Sequence, residues 1–241
     1  MLSLPIKTAL GLKRLFDVVV SSTALMCLSP FIALIAVAIK LDDGGPVLFI
    51  QDRVGRGQKN FRCVKFRTMV LGSEQIGNRF TVIEHDSRIT RVGHWLRLWT
   101  LDEIPQLINV LLGDMSIVGP RPWVPAQAAY CSPADNRRFN FKPGMAGWAW
   151  IHGRNRLPWD ERVRLDLWYV DHWSLSLDFS ILAKAVVLLF RRDGVYFEQG
   201  SGSVEQGAGA KSEGLRGKSM EQGAGSWERS NDDSAEQGTW R

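Results

Sequence analysis

The sequence predicts an α+β fold that is mostly helical and begins with a membrane segment. Three observations predict it. An uncharged apolar run of 22 residues, Val18 to Ile39, lies near the start. Two β-prone runs flank a glycine-bearing turn between Pro46 and Met69. Several later stretches repeat apolar residues at helical spacing. The 241 residues are enough for one domain with a sizeable core. The expected division is a membrane hairpin over 1–40, a folded body over 41–197 and a tail over 198–241.

The first run is long enough to span a bilayer. It is too long for a signal-peptide core, and no small-residue cleavage site follows it before Lys40. Ser29 and Pro30 interrupt it near the middle. Proline lacks an N–H and clashes with the carbonyl four residues back, and the residue before it is pushed from helical angles. A kink or break is therefore expected. Lys7, Lys13 and Arg14 precede the run, and Lys40, Arg53, Arg56 and Lys59 follow it. Positive residues favour the cytoplasmic side. Basic flanks at both ends favour a re-entrant helix–break–helix over a kinked spanning helix.

Pro46 to Met69 reads as a β-hairpin around "DRVGRGQKN", with Gly55 and Gly57 in the turn. "RITRVGHWLRLW" reads as a short amphipathic helix with Trp95 and Trp99 one turn apart. Trp favours the lipid–water boundary, so this helix suits either a membrane surface or a core. "DERVRLDLWYVDHWS" and "DFSILAKAVVLLFRR" are further helices. The second is interrupted by Lys184 and is short for a span. From Glu198, Gly, Ser, Gln and Glu dominate, and "EQGAG" recurs at Glu205 and Glu221. Too few apolar residues remain there to offset ordering entropy, which predicts a disordered tail.

The tail holds five basic and eight acidic residues, so the preceding body carries +8 against +5 for the whole chain. A basic body suits an anionic partner: a phosphorylated ligand, anionic lipid or nucleic acid. The basic residues lie beside a membrane segment and no nucleic-acid motif appears, which disfavours the last. Cys27, Cys63 and Cys131 form no CxxC pair, and the four histidines are scattered. Neither a disulfide framework nor a zinc site is suggested. A metal here would be a hard, oxygen-bound ion such as Mg²⁺.

"TLDEIPQLINV" carries the candidate chemistry. Thr100 and Glu103 fit a capping box, and Asp102 and Glu103 suit the first turn of a helix. The same place suits a nucleophile, since a helix start would keep Asp102 ionised. Neighbouring carboxylates hold Mg²⁺ or divide nucleophile and base roles. "GDMSIVGPRP" follows, presenting Arg121 between Pro120 and Pro122. Arginine suits bidentate phosphate recognition. Lys65, Arg67, Arg88 and Arg97 supply further cations for an anion pocket.

"KRLFD", the Ser-Pro interruption, "KFRTM", "DSRITRVGHWLR", "LDEIPQLINVLLGDMSIVGPRP", "KPGMAGWAWIHGRN" and "LDLWYVDHWS" occur in that order. From about Lys13 to Tyr196 the chain closely resembles the bacterial sugar transferases, the monotopic polyprenyl-phosphate phosphoglycosyl transferases, in their minimal catalytic form. The resemblance implies that Asp102 attacks the β-phosphorus of a UDP-sugar, releasing UMP and forming a sugar-phosphoryl aspartate. A polyprenyl phosphate such as undecaprenyl phosphate then takes the sugar phosphate, as the first membrane step of polysaccharide or glycoconjugate synthesis. Glu103 would assist, with Mg²⁺ as cofactor on Asp102 and Glu103. The resemblance assigns Lys13, Arg14 and Asp17 to a contact beside the membrane helix and Ser29 and Pro30 to its break. Pro120, Arg121 and Pro122 fall to the nucleotide, and Asp166 to substrate binding. It implies a bacterial inner membrane, with the catalytic domain on the cytoplasmic face. Met145 and Trp148 depart from the family's usual residues, and Trp123 stands where Glu is often found. A non-catalytic membrane-anchored assembly or scaffold protein is the alternative, and a homo-oligomer is left open.

Overall fold

A computed structural model describes residues 6–73 and 86–191. The expected tail from Glu198 lies outside them. Helices predominate, as the sequence predicts. The first, α1 (Ile6–Asp43), takes up the whole apolar run together with Lys7, Lys13, Arg14 and Lys40. It continues through Pro30, so the expected break is not seen. The reason is local. Pro30 cannot donate to the Met26 carbonyl, and the Ser29 hydroxyl donates there instead, at 2.8 Å.

α1 has two opposite faces. Lys13, Asp17, Ser21, Ile35 and Ile39 are buried against the body. Leu15, Val19, Met26, Leu34, Val37 and Leu41 form an exposed apolar stripe. Little of its most apolar stretch is buried, unlike the core helix of a globular protein. Both ends are fastened to the same body. Lys13 Nζ donates to Asp178 Oδ2 at 2.6 Å and to Val118 O at 2.8 Å. Asp17 Oδ1 accepts from Ser116 Oγ at 3.0 Å and from Ile117 N at 2.9 Å. Arg14 donates to Val110 O and Leu111 O, satisfying carbonyls at the end of a later helix. At the other end, Ile35 and Ile39 cluster with Phe66 and Leu96, and Asp42 Oδ2 accepts from Val92 N.

The hairpin forms as expected. β1 (Leu48–Val54) pairs antiparallel with β2 (Asn60–Phe66), with Val54 opposite Asn60. A 3-10 turn over Arg56–Gln58 joins them, with Gly57 (φ 67°) and Gln58 (φ 61°) both left-handed. α2 (Arg91–Leu98) is capped by the Thr90 hydroxyl, which accepts from Gly93 N at 2.9 Å. It leaves Trp95 exposed.

α3 (Gln106–Leu112) packs on α1 through Leu107 and Val110, both in the main core with Met115, Tyr169 and Ile181. Its Asn109 is buried and ties it to β2, accepting from Val64 N at 3.0 Å and donating to Arg62 O at 2.8 Å. β3 (Ser116–Val118) pairs in parallel with β4 (Gly144–Ala146). The two chains approach so closely that a Cβ on Gly144 would sit 2.0 Å from Gly119 N. Only glycine is tolerated in that crossing. Two short helices, α4 (Pro125–Ala128) and α5 (Trp148–Ile151), precede α6 (Trp159–Asp171) and α7 (Leu175–Arg191). Tyr169 of α6 donates to Asp178 Oδ1 at 2.7 Å, so α1, α6 and α7 meet at one carboxylate.

Candidate active site

Asp102 and Glu103 lie in a 3-10 turn, Leu101–Glu103, between α2 and α3. The expected capping box does not form. Thr100 adopts the left-handed region (φ 58°, ψ 22°) and its side chain caps nothing. Its hydroxyl accepts instead from Arg154 Nη2, at 3.3 Å. α3 starts only at Gln106, after Pro105. Glu103 is thereby released from reaching back and turns toward the hairpin.

There it meets cations. Lys65, near the end of β2, donates to Glu103 Oε1 at 2.9 Å. Arg121 Nη2 lies 3.7 Å from the same oxygen. Asn109 holds α3 to β2 and so keeps this turn beside Lys65. Burial pushes the Glu103 carboxyl up, but Lys65, Arg121 and Arg53 outweigh it and hold the carboxyl down at about 2.

Asp102 behaves differently. Burial raises its carboxyl above the ordinary aspartate value. Lys65 opposes this, the Glu103 charge adds to it, and Arg97 opposes it. The expected helix start is not what acts on Asp102. α3 begins four residues later, and desolvation exceeds the help from cations. The site thus holds one firmly ionised carboxylate and one more basic carboxylate beside it. The pair divides its roles by environment.

The arginine between the two prolines is presented by a loop fastened at its backbone. Arg138 Nη2 donates to Arg121 O, and Arg53 Nη1 donates to Pro122 O, both at 2.9 Å. Val54 N donates to Trp123 O at 2.8 Å, and Gly144 N to Pro120 O at 2.9 Å. Trp123 lies under the Arg138 guanidinium, 3.3 Å from ring centroid to carbon. Asp166 pairs with Arg138 at 2.5 Å, and both side chains are about 2% exposed. Asp166 therefore reaches the site through Arg138 and the Arg121 carbonyl, not from its surface.

Of the cations expected in the pocket, Lys65 and Arg121 meet Glu103, and Arg97 acts on Asp102 while donating to Thr68 Oγ1 at 2.8 Å. Arg67 does not join them. It lies just past β2 and forms a two-pronged ion pair with Asp43 at the end of α1. Arg88 pairs with Asp86, donating at 2.8 and 2.6 Å. Arg53, Arg138 and Arg154 were not singled out from sequence as site residues. Their only signal is position: Arg53 reads as a hairpin-turn charge and Arg138 as one of two arginines in "NRRF".

Among the described residues no cluster of three or more His, Cys, Asp or Glu side chains could hold a metal. Mg²⁺ needs fewer, binding through one or two carboxylates with substrate phosphates completing its shell. Asp102, whose buried charge lies next to that of Glu103, fits such a partial donor set.

A carboxylate pair set among cations, in a chain whose first helix is apolar and of membrane-spanning length, marks a candidate enzyme site. The chain belongs to the bacterial sugar transferase family, which it matches over residues 8–192. It is 40% identical over 184 residues to the uncharacterized sugar transferase EpsL of Bacillus subtilis, covering 76% of this chain and 90% of that one. It is 41% identical over 200 residues to an undecaprenyl-phosphate galactose phosphotransferase of Salmonella typhimurium, covering 77% of this chain and 42% of that one. An undecaprenyl-phosphate glucose phosphotransferase of Komagataeibacter xylinus is 41% identical over 181 residues, 70% of this chain and 34% of its own length. The chain thus spans less than half the length of these last two relatives.

Lys65 favours the ionised form of Asp102, so its loss has a defined sign. In Lys65→Met the Asp102 carboxyl will titrate at higher pH than in the parent, and Glu103 will rise from about 2. Carboxyl ¹³C NMR titration of selectively labelled protein reads both.

Proposed function

We propose that the protein transfers a sugar phosphate from a UDP-sugar to undecaprenyl phosphate or a related polyprenyl phosphate, in two displacements at Asp102. The observation that carries this is the buried pair itself: a basic Asp102 next to a Glu103 held ionised by Lys65 and Arg121. The names of the relatives support the acceptor and the transferred group.

In the first displacement an Asp102 oxygen bonds to the β-phosphorus, and the bond from that phosphorus to the bridging oxygen breaks. UMP leaves with that electron pair, and a sugar-phosphoryl aspartate remains. In the second, a phosphate oxygen of the polyprenyl phosphate attacks the same phosphorus. The bond to Asp102 breaks, and the carboxylate is restored. Neither displacement requires a proton to move. Lys65 and Arg121 hold the diphosphate and spread its developing charge, in a site where burial strengthens both contacts. Glu103 keeps the two cations apart and aimed. Mg²⁺ bound at Asp102 or Glu103 would supply charge neutralisation of the diphosphate. Burial raises the Asp102 carboxyl above its ordinary value, and a more basic carboxylate is the stronger nucleophile.

The acceptor is a lipid and the donor is soluble, so the site must stand at a membrane surface. α1 supports this with its exposed apolar stripe, and Trp95 of α2 supplies a boundary residue. We propose that α1 stays on the cytoplasmic face of the bacterial inner membrane and does not span it. The packing of both its ends on one body supports that path, since a spanning helix would carry them to opposite sides.

Two experiments test these readings. Detergent-purified protein will release UMP from a UDP-sugar in the presence of polyprenyl phosphate. Release of UDP would mean ordinary glycosyl transfer, and no release across a broad donor panel would favour a scaffold. Single cysteines at Lys7→Cys and Leu41→Cys, in a background without the native ones, will label from the same side of the membrane. Labelling from opposite sides would establish a spanning helix.

A further inference from the structure

Two guanidinium groups hold successive carbonyls of the Pro120–Arg121–Pro122 loop, but their charges are balanced differently. Arg138 is ion-paired with Asp166. Arg53 forms no ion pair among the described residues. Its Nη1 meets the Pro122 carbonyl at 2.9 Å and its Nη2 the neutral amide oxygen of Gln51 at 2.7 Å. Its Nε is buried with no hydrogen-bond partner. A strut to Pro122 needs a donor and not a charge. A buried cation bonded only to neutral oxygens, with one donor unused, is a costly way to make one.

The charged surroundings sharpen this. Burial and the like charge of Arg121 push the Arg53 guanidinium down to about 10, so it remains protonated at neutral pH. The buried thiol of Cys63 and the Glu103 carboxylate are its other electrostatic neighbours. Glu103 is already paired with Lys65 and approached by Arg121. Lys65 and Arg121 thus already approach Glu103, and among the described residues Arg53 has no carboxylate of its own.

Arg121 Nη2 lies 3.7 Å from Glu103 Oε1, and Arg53 holds the carbonyl of the next residue, Pro122, at 2.9 Å. Arg53 and Arg121 thus lie on the Glu103 side. An in-line displacement puts the departing oxygen opposite the attacking one. With Asp102 attacking the β-phosphorus, the α-phosphate belongs on the side away from Asp102.

We infer that Arg53, acting with Arg121, lends positive charge to the α-phosphate of the donor nucleotide and stabilises the UMP leaving group. This rests on the two-displacement reading above. The bridging bond breaks, its electron pair passes to the α-phosphate oxygen, and UMP departs with one more negative charge than its phosphoryl carried in the diphosphate. Arg53 gives up no proton. It supplies positive charge where that electron pair arrives, and it has no part in capturing the lipid acceptor.

The test uses the full chain in detergent and separates donor from acceptor. In Arg53→Met, donor kcat/KM will fall by roughly 10- to 100-fold and the UMP inhibition constant will rise roughly 10-fold or more. KM for polyprenyl phosphate will stay within about twofold, since that step places no new charge on UMP. Arg53→Lys will recover part of the UMP inhibition, because it keeps the charge and loses the fork. Unchanged UMP inhibition overturns the inference, and so does an equal loss for donor and acceptor, which marks a strut alone. Should Arg53→Met fail to fold, Arg53→Lys decides: weaker UMP inhibition with an unchanged acceptor KM supports the assignment, and inhibition equal to the parent's overturns it. A parent protein that releases no UMP overturns the reaction and not merely the role of Arg53.

Discussion

One buried carboxylate shared among three cations governs the site. Glu103 stands at the meeting point of Lys65, Arg121 and Arg53, and it remains ionised because of them. Remove it and three neighbouring positive charges lose the acid that draws them together. Its neighbour Asp102 receives less of their help, and burial leaves it the more basic of the two. The division of labour between adjacent acids therefore follows from which cations each one faces.

The scaffold exists to hold those cations still. Lys65 comes from a hairpin locked to α3 by the buried Asn109. Arg121 comes from a loop that crosses β4 at two glycines, too close for any side chain. Arg53 and Arg138 then grip its carbonyls. Beneath all of this, Lys13 and Asp17 bury their charges at the body end of an otherwise apolar helix. A purely apolar contact would let that helix slide. Directional bonds to Asp178, Ser116 and Ile117 fix its position relative to the site.

Much of this was legible in the sequence. β-Prone runs and turn glycines pointed to the hairpin, helical spacing to α2, α6 and α7, and a long ordered signature to the carboxylate pair and Arg121. The misreadings share a cause: a local rule was overridden by a partner that pattern cannot display. The Ser29 hydroxyl fills the carbonyl that Pro30 strands, so the helix continues. Thr100 looked like a cap, yet its left-handed backbone and Arg154 take it elsewhere. Lys65 and Arg67 are two residues apart, but β2 ends at Phe66 and Asp43 captures Arg67. Arg53 was hidden because a turn charge looks solvated until the loop that covers it is known.

The central claim is that Asp102 is covalently loaded before any lipid arrives. Incubation with a UDP-sugar alone, followed by intact-mass and peptide-level mass spectrometry, tests it most directly. The account predicts up to one equivalent of UMP and a sugar-phosphate increment on the peptide bearing Asp102, both lost in Asp102→Asn. UMP appearing only when polyprenyl phosphate is present, with no adduct on the protein, would mean direct transfer and would contradict it.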